Sequence, residues 1–553
     1  MTESPRAGLP PGRVLVADPL APSAVELLRS AGVEVVEATN AGRERLAELL
    51  APCEALLVRS RTRVDAELLA AGPRLRVVGR AGTGTDNIDL AAASRRGILV
   101  INAPGANTVS AVEHTFALLL ALARQVPAAD ASLRAGEWKR SRFLGTELRG
   151  KTLGILGLGR IGREVAERAR AFRMVVVAHD PHLIAGTAAR VGVELLALDE
   201  LLARADVVTL HLPLTPQTHH LLDADRLAGM KRGALLINCA RGGLIDEAAL
   251  LAALDAGHLG GAGLDVFATE PPADLALAAH PRVVATPHLG AQTREAQERA
   301  SSEVAAMVLR ALAGALDVPA VNLPFAWSGG VQERYLLLAE RLGRLAAGLV
   351  EGPVREIRVS LLGIDDGLAQ PLAVAATRGA LADALGPAVS YVNAEAVAGE
   401  RGIEVVRSVR SRAADLPPLV EIEARGAETV TVAGALFGDR QLRVLRFGNL
   451  PLEMRPEGEL LVLRTWDRPG VIGEVGEILG GAGVNIADLH LARRDGDEDA
   501  LMVLRLDEPP DAELLARLRA LPAVRLARCI DLGPRPAEPA GSAAVAPPQG
   551  ATA

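Results

Sequence analysis

Lysine is almost missing from this sequence: of its 60 basic residues only Lys139, Lys151 and Lys231 are lysines, so Schiff-base chemistry has few candidate amines. Cysteine is as sparse. Cys53, Cys239 and Cys529 lie far apart and without metal-site spacing, so a reducing compartment and no metal are expected, with Cys53 and Cys529 as structural thiols. No uninterrupted apolar run is long enough to span a bilayer, and the opening MTESPRAGLPPGR lacks the apolar stretch of a signal peptide. A soluble, cytoplasmic protein with no membrane partner is the expectation. A formal net charge of -7 gives no basic surface for nucleic acid. What the chain does have is length and apolar content. Its 553 residues, 49% of them hydrophobic, exceed one core, and three or four domains are expected.

The most informative stretch is KTLGILGLGRIGREVAERARAFRMVVVAHD, residues 151–180. An apolar run leads into Gly157, Gly159 and Gly162, a helical pattern follows, and a second apolar run ends at Asp180. This is G-x-G-x-x-G in its strand–turn–helix–strand setting. The first glycine permits the tight turn, the second lets backbone approach a pyrophosphate, and the third lets helix and strand pack closely. The helix that follows presents free N–H groups to the phosphates. A carboxylate at Asp180 accepts from a ribose 2′-OH and repels a 2′-phosphate, so NAD is expected rather than NADP.

Before this stretch, RVLVAD, VEVVEA, EALLVRS, LRVVGRAG and ILVINA alternate with helical patterns, which predicts a parallel α/β sheet. Such sheets bind ligands beyond the carboxyl ends of their strands. Arg59 and Arg80 fall there, with Gly82 and Gly84 placed to bring backbone close to an anion. A long apolar helix over about Thr108–Arg124 leads to a basic cluster, Lys139, Arg140 and Arg142 beside Trp138, read either as a solvated loop or as a reach toward an anionic substrate. After Asp180 the alternation resumes, and three polar residues follow strand ends: Arg241 in NCARGG, Glu270 in ATEPP and His288 in TPHLG. Oxidation of a 2-hydroxy acid needs those types together. Imidazole takes the hydroxyl proton, a carboxylate orients the ring, and an arginine grips the substrate carboxylate at two points.

The segments GLGRIG…HDP, NCARGGLIDE, LDVF..EPP and PHLGAQT together resemble the NAD-dependent D-2-hydroxyacid dehydrogenases. RAGTGTDNID, NAPGANTVSAVEH and WKRSRFLGTEL resemble, more narrowly, the members acting on 3-phosphoglycerate. The resemblance implies a discontinuous substrate-binding domain (13–107 and 301–328) around an NAD-binding Rossmann domain (108–300). It also implies cofactor contacts near Thr83, Arg160, Ile161, Asp180, Cys239, Arg241, Asp265 and His288, and substrate contacts at Arg59, Arg80 and Asn107. PGANTVS departs from the Asn-Gly or Gly-Gly pair that many relatives carry before Asn107.

Residues 329–456 show no phosphate loop and almost no histidine, and resemble the intervening regulatory domain of the longer members. Residues 457–533 read β-α-β-β-α-β, a split βαβ pattern. DRPGVIGEVGEILGGAGVNI resembles the start of an ACT domain, in which Asp467 and Asn485 fall where that family grips an amino acid between paired domains. A Pro/Ala-rich tail, 534–553, is expected to be disordered.

The expected fold is therefore α/β: two Rossmann-like parallel-sheet domains, then an α+β intervening domain and a ferredoxin-like ACT domain. The expected activity is NAD-dependent oxidation of 3-phosphoglycerate in a homo-oligomer, dimer or tetramer, with L-serine as effector. Two rivals are an enzyme for an unphosphorylated acid such as glyoxylate or lactate and a nucleotide-sensing corepressor. The basic cluster and the C-terminal sensor disfavour the first, and the two C-terminal domains the second.

Overall fold

The computed structural model describes residues 12–183, 192–327, 329–411, 417–438, 441–493 and 498–534. The N-terminal lead-in through residue 11 and nearly all of the Pro/Ala-rich tail lie outside these ranges. Spatial clustering gives two units. Of the described residues, the first comprises those within 12–64, 71–88 and 101–314, and the second those within 65–70, 89–100 and 315–534.

The early apolar runs become β1 (Arg13–Val16), β2 (Glu34–Glu37), β3 (Ala55–Val58), β4 (Val77–Arg80) and β5 (Leu99–Asn102), in the sheet order β2-β1-β3-β4-β5. The pairs β1–β2, β1–β3 and β3–β4 are parallel. β1 and β3 read as continuous apolar runs because both faces of a parallel sheet are covered. The helix Arg294–Leu312 returns to this sheet. Its Val304 and Val308 pack so tightly on β4 that only a glycine fits at Gly79, and Arg76 Nη2 donates to Leu312 O at 3.2 Å.

The second sheet holds β6 (Thr152–Leu156), β7 (Val175–His179), β8 (Glu194–Leu195), β9 (Val207–Leu210), β10 (Leu235–Asn238), β11 (Gly261–Leu264) and β12 (Val283–Ala285). Its order is β12-β11-β10-β9-β6-β7-β8, parallel throughout. The order reverses beside β6, where such a sheet opens a crevice. The helix Thr108–Ala123 covers one face with Val112, Phe116 and Leu119.

The second unit pairs the helices Val331–Leu349 and Ala369–Leu385. Gly343 meets Ala376 O and Gly379 meets Glu340 O with no room for a Cβ, so each helix's backbone beds into the other. They cover a mixed sheet of order β14-β13-β15-β16-β17-β18: β13 (Glu356–Leu362), β14 (Glu404–Arg410), β15 (Leu419–Arg425), β16 (Thr429–Phe437), β17 (Gln441–Phe447) and β18 (Leu450–Met454). A four-stranded antiparallel sheet follows: β19 (Glu459–Trp466), β20 (Ile486–Arg493), β21 (Asp499–Leu506) and β22 (Val524–Asp531), ordered β20-β21-β19-β22. With the helices Val471–Gly481 and Ala512–Arg519, this is the split βαβ arrangement.

One face of the small sheet packs on its own two helices and the other joins the core of the long helices, through Val462, Val503 and Ile530. The buried Arg341 ties the two parts together, donating to Pro456 O and to Pro534 O, both at 2.6 Å, where the chain runs into and out of the small sheet.

Candidate functional site

Each glycine of the 157–162 turn does a different job. Gly157 has φ +93°, and a Cβ there would press on His211 O at 2.6 Å, so the turn hugs the end of β9. Gly162 abuts Gly157 O, which brings the helix Arg160–Ala171 against the strand turn. Gly159 alone has nothing within 4 Å of where a Cβ would stand. That open cradle lies at the N-terminus of a helix whose first N–H groups, starting at Arg160 and Ile161, have no intrahelical acceptor. An anion of pyrophosphate size suits it. Asp180 accepts from Leu158 N at 3.0 Å and His182 N at 3.0 Å, so its carboxylate is fixed at the mouth of the same turn. The residues present thus fit a dinucleotide.

A cleft of about 640 Å³ in the first unit gathers the other predicted residues. Arg59, Arg80, Asn107, Arg241, Glu270 and His288 all line it. His288 Nδ1 lies 2.7 Å from Glu270 Oε2, and Glu270 Oε1 accepts from Phe267 N at 3.2 Å. A carboxylate at Nδ1 fixes the tautomer with the proton there, which leaves Nε2 as the lone pair available to a ligand. Arg241 reaches the same place because Gly242 seats directly on Phe267 and Ala268, where any side chain would collide. Buried Asn238 braces that turn, donating to Arg241 O at 2.9 Å and accepting from Ala240 N at 3.0 Å.

His288 is also held through its backbone. It sits at φ +54°, uncommon for a residue with a side chain. Around it, Leu289 N donates to Asp265 Oδ1 at 2.7 Å and Gly290 N to Asp265 Oδ2 at 2.8 Å, while His288 N donates to Asp265 O at 2.8 Å. Thr286 Oγ1 donates to Asp265 Oδ1 at 2.6 Å, and His114 Nε2 lies 3.1 Å from the same oxygen. Burial alone would raise the Asp265 carboxyl. The hydrogen bonds from His114, Thr286, Leu289 and Gly290 outweigh it and hold the group below the ordinary carboxylate range. Asp265, expected as a cofactor contact, is therefore also the post around which the His288 loop is wound.

Positive charge converges on the cleft. Burial first, and the neighbouring Arg241 second, pull the Arg80 guanidinium down to about 10, so it stays charged at neutral pH. Arg80 Nε is buried without a hydrogen-bond partner among the described residues. The glycines expected to admit an anion's approach do something more indirect: a Cβ at Gly82 would meet Arg80, and one at Gly84 would meet Arg241. They make room for the guanidinium groups. Arg59 is anchored by its backbone, its N–H donating to the buried Asp18 Oδ2 at 2.7 Å and its carbonyl accepting from Asn87 Nδ2 at 2.8 Å. Thr83 Oγ1 donates to Asn107 Oδ1 at 2.6 Å, so those two predicted contacts form one pair. Burial pushes the Cys239 thiol up to about 12, which suits a packing contact and not a nucleophile.

Sequence reasoning missed Asn238, Asp18, His114 and Asp86. The motif NCARGG carried Asn238 in plain view; for the other three the partner lies far along the chain. The basic cluster is internally paired, Lys139 Nζ to Glu137 at 3.0 Å and Arg142 Nη1 to Glu137 at 2.8 Å. In the small antiparallel sheet, Asp467 does not cap the helix that follows it. The residue at the cap position is Gly470, and Asp467 Oδ2 instead accepts from Arg493 Nη1 at 3.4 Å. Asn485 Nδ2 donates to Asp507 at 2.7 Å. Among the described residues no His/Cys/Asp/Glu group is arranged to hold a metal, and no single helix is long and apolar enough to cross a membrane.

Three families match consecutive parts of the chain: the NAD binding domain of D-isomer specific 2-hydroxyacid dehydrogenase over residues 116–290, the D-3-phosphoglycerate dehydrogenase intervening domain over 332–447, and the ACT domain over 459–523. The D-3-phosphoglycerate dehydrogenase of Mycobacterium tuberculosis is 45% identical over 522 residues, 93% of this chain and 98% of that one. The Bacillus subtilis enzyme of the same name is 39% identical over 94% of this chain and 99% of its own. Among solved structures, the TT0316 protein of Thermus thermophilus is 42% identical and covers 56% of this chain and 99% of its own, with a TM-score of 0.51. A glyoxylate reductase from a Paecilomyces species is 34% identical over 57% and 99%, with a TM-score of 0.53. The three family matches follow one another along this chain, relatives of that one name match it nearly end to end, and the chain belongs to the D-3-phosphoglycerate dehydrogenases, NAD-dependent oxidoreductases of the D-2-hydroxyacid type.

Proposed function

We propose that this chain oxidises 3-phosphoglycerate to 3-phosphohydroxypyruvate in the 640 Å³ cleft, with His288, Glu270 and Arg241 as its catalytic residues. The observation that carries the assignment is the convergence of three arginines on the cleft that holds the His288–Glu270 pair. A simple 2-hydroxy acid offers one anionic group; a phosphorylated one offers groups for more than one guanidinium. Bound NAD supplies the hydride acceptor at C2. The residues do the rest. Nε2 of His288 takes the proton of the C2 hydroxyl, and Glu270 at Nδ1 favours the imidazolium that results. Arg241 grips the carboxylate and polarises the C2 oxygen. Arg59 and Arg80, with Asn107, take the remaining charged groups. Thr83, Gly157, Gly159, Arg160, Ile161, Gly162, Asp180, Cys239 and Asp265 form the cofactor side.

L-Serine is the proposed effector, held by Asp467 at its ammonium and Asn485 at its carboxylate, and the enzyme acts as a homo-oligomer in the cytoplasm. Both effector residues already have polar partners, Arg493 and Asp507, that a zwitterion exchanges for its own charges. Purified protein should form NADH with 3-phosphoglycerate and far less with D-glycerate or lactate; equal rates with all three would reject the phosphate assignment. Calorimetric titration of the intact protein should show serine binding, weakened roughly ten- to a hundred-fold by Asp467→Ala, since a hydrogen bond to a charged group contributes about 1.5–3 kcal/mol. Wild-type protein that does not bind serine would reject the sensor and leave the dehydrogenase standing.

A further inference from the structure

The fork of Arg241 that a substrate carboxylate would take is already held by a carboxylate of the protein itself. Asp86 Oδ2 lies 2.9 Å from Nη2 and 3.1 Å from Nε, the edge of a guanidinium that grips a carboxylate at two points. The third nitrogen, Nη1, donates to Ala240 O at 2.7 Å. As it stands, the Nε–Nη2 edge of Arg241 is taken.

Asp86 differs from the other acids of the site in being held loosely. Its side chain is 70% exposed, against 38% for Glu270 and 0% for Asp265. It rides on the short turn after β4, among the residues lining the cleft. The turn is shaped for the pair, since a Cβ at Gly84 would strike Arg241 Nη2 and would stand 2.8 Å from Asp86 Oδ2. An ion pair so open to water is weak, and one carboxylate readily exchanges for another on the same fork.

We propose that Asp86 is a displaceable stand-in for the substrate carboxylate, occupying Arg241 in the free enzyme and swinging out to water when an acid enters. The proposal rests on the assignment of Arg241 as the carboxylate clamp. An acid that displaces Asp86 spends part of its binding on the exchange, and spends the same whether or not it carries a phosphate. Removing the charge of Asp86 therefore tightens every acid by a common factor, and because the displaced group takes no part in the hydride or proton transfer, the change falls on binding.

The test is Asp86→Asn, which keeps size and shape. KM for 3-phosphoglycerate and the inhibition constant of D-glycerate, a competitor without the phosphate, should both fall by about three- to ten-fold, with kcat within about two-fold of wild type. A rise in both constants would make Asp86 a brace that positions Arg241, and unchanged constants would make the pair incidental; either result overturns the proposal. Asp86→Ala, run alongside with thermal unfolding as a check on the fold, should move both constants the same way. Arg241→Lys separates this idea from the one beneath it. If that variant binds and turns over 3-phosphoglycerate normally, the clamp assignment fails; if it is crippled while Asp86→Asn is silent, only the stand-in role fails.

Discussion

The first unit contains two parallel sheets built alike and finished differently at their first strands. After β6 the chain turns through Gly157 and Gly159 and leaves an open cradle at a helix N-terminus. After β1 the chain runs through Ala17 into Asp18, whose side chain is buried and fully engaged. Its two oxygens accept from Arg59 N at 2.7 Å, Thr62 N at 3.1 Å, Thr62 Oγ1 at 2.7 Å and Arg61 Nε at 3.3 Å. One sheet leaves its N–H groups for a phosphate to satisfy; the other supplies the anion from within. The β3 turn is thereby rigid without a ligand, and Arg59 starts from a fixed backbone. The same architecture yields a nucleotide site where glycine leaves space and a frame for substrate-facing arginines where a carboxylate fills it.

The sharpest way to break this contrast is at the chemistry. His288→Ala should lower kcat by roughly 10²–10⁴-fold while fluorescence titration finds NADH affinity nearly intact, because the cradle lies on other residues of the sheet. Near-normal turnover would remove His288 from its role. The next effect in size belongs to the internal anion. Asp18→Ala strands two backbone N–H groups and a hydroxyl, all half-buried, and at about 0.5–1.5 kcal/mol for each hydrogen bond lost it should lower the thermal midpoint by several degrees and raise KM for 3-phosphoglycerate. An unchanged midpoint would mean that the β3 turn does not depend on its carboxylate. The smallest is Asp180→Ala, which removes both a ribose acceptor and a charge repelling a 2′-phosphate. The preference for NAD over NADP should narrow by about ten-fold, measured as the ratio of kcat/KM, and an unaltered ratio would show that Asp180 faces away from the ribose.

Much of the site was legible because its signals are local. The glycine turn lies within thirty residues together with the strand, helix and acid that give it meaning, and Arg241, Glu270 and His288 each follow a strand end of one sheet. Strand alternation placed all five strands of the first sheet; in β3 and β5 covering both faces leaves buried apolar runs, and the edge strand β2, EVVE, keeps only two apolar residues. What stayed hidden were acids whose meaning lies in a distant partner. Asp18 answers Arg59–Thr62 and Asp86 answers Arg241. Before their partners are known, such residues read as ordinary turn carboxylates. Gly84 carried a further meaning that was hidden for the same reason, since the Arg241 guanidinium for which it leaves room comes from elsewhere in the fold.

The guanidinium of Arg341 holds the carbonyls of Pro456 and Pro534 together, and so it pins both ends of the ACT domain at a single point. With the apolar seam of Val462, Val503 and Ile530 beside it, that clamp makes the small sheet and the helix Val331–Leu349 one packed body, so a twist imposed on the sheet reaches the helix directly and not as tension along a linker.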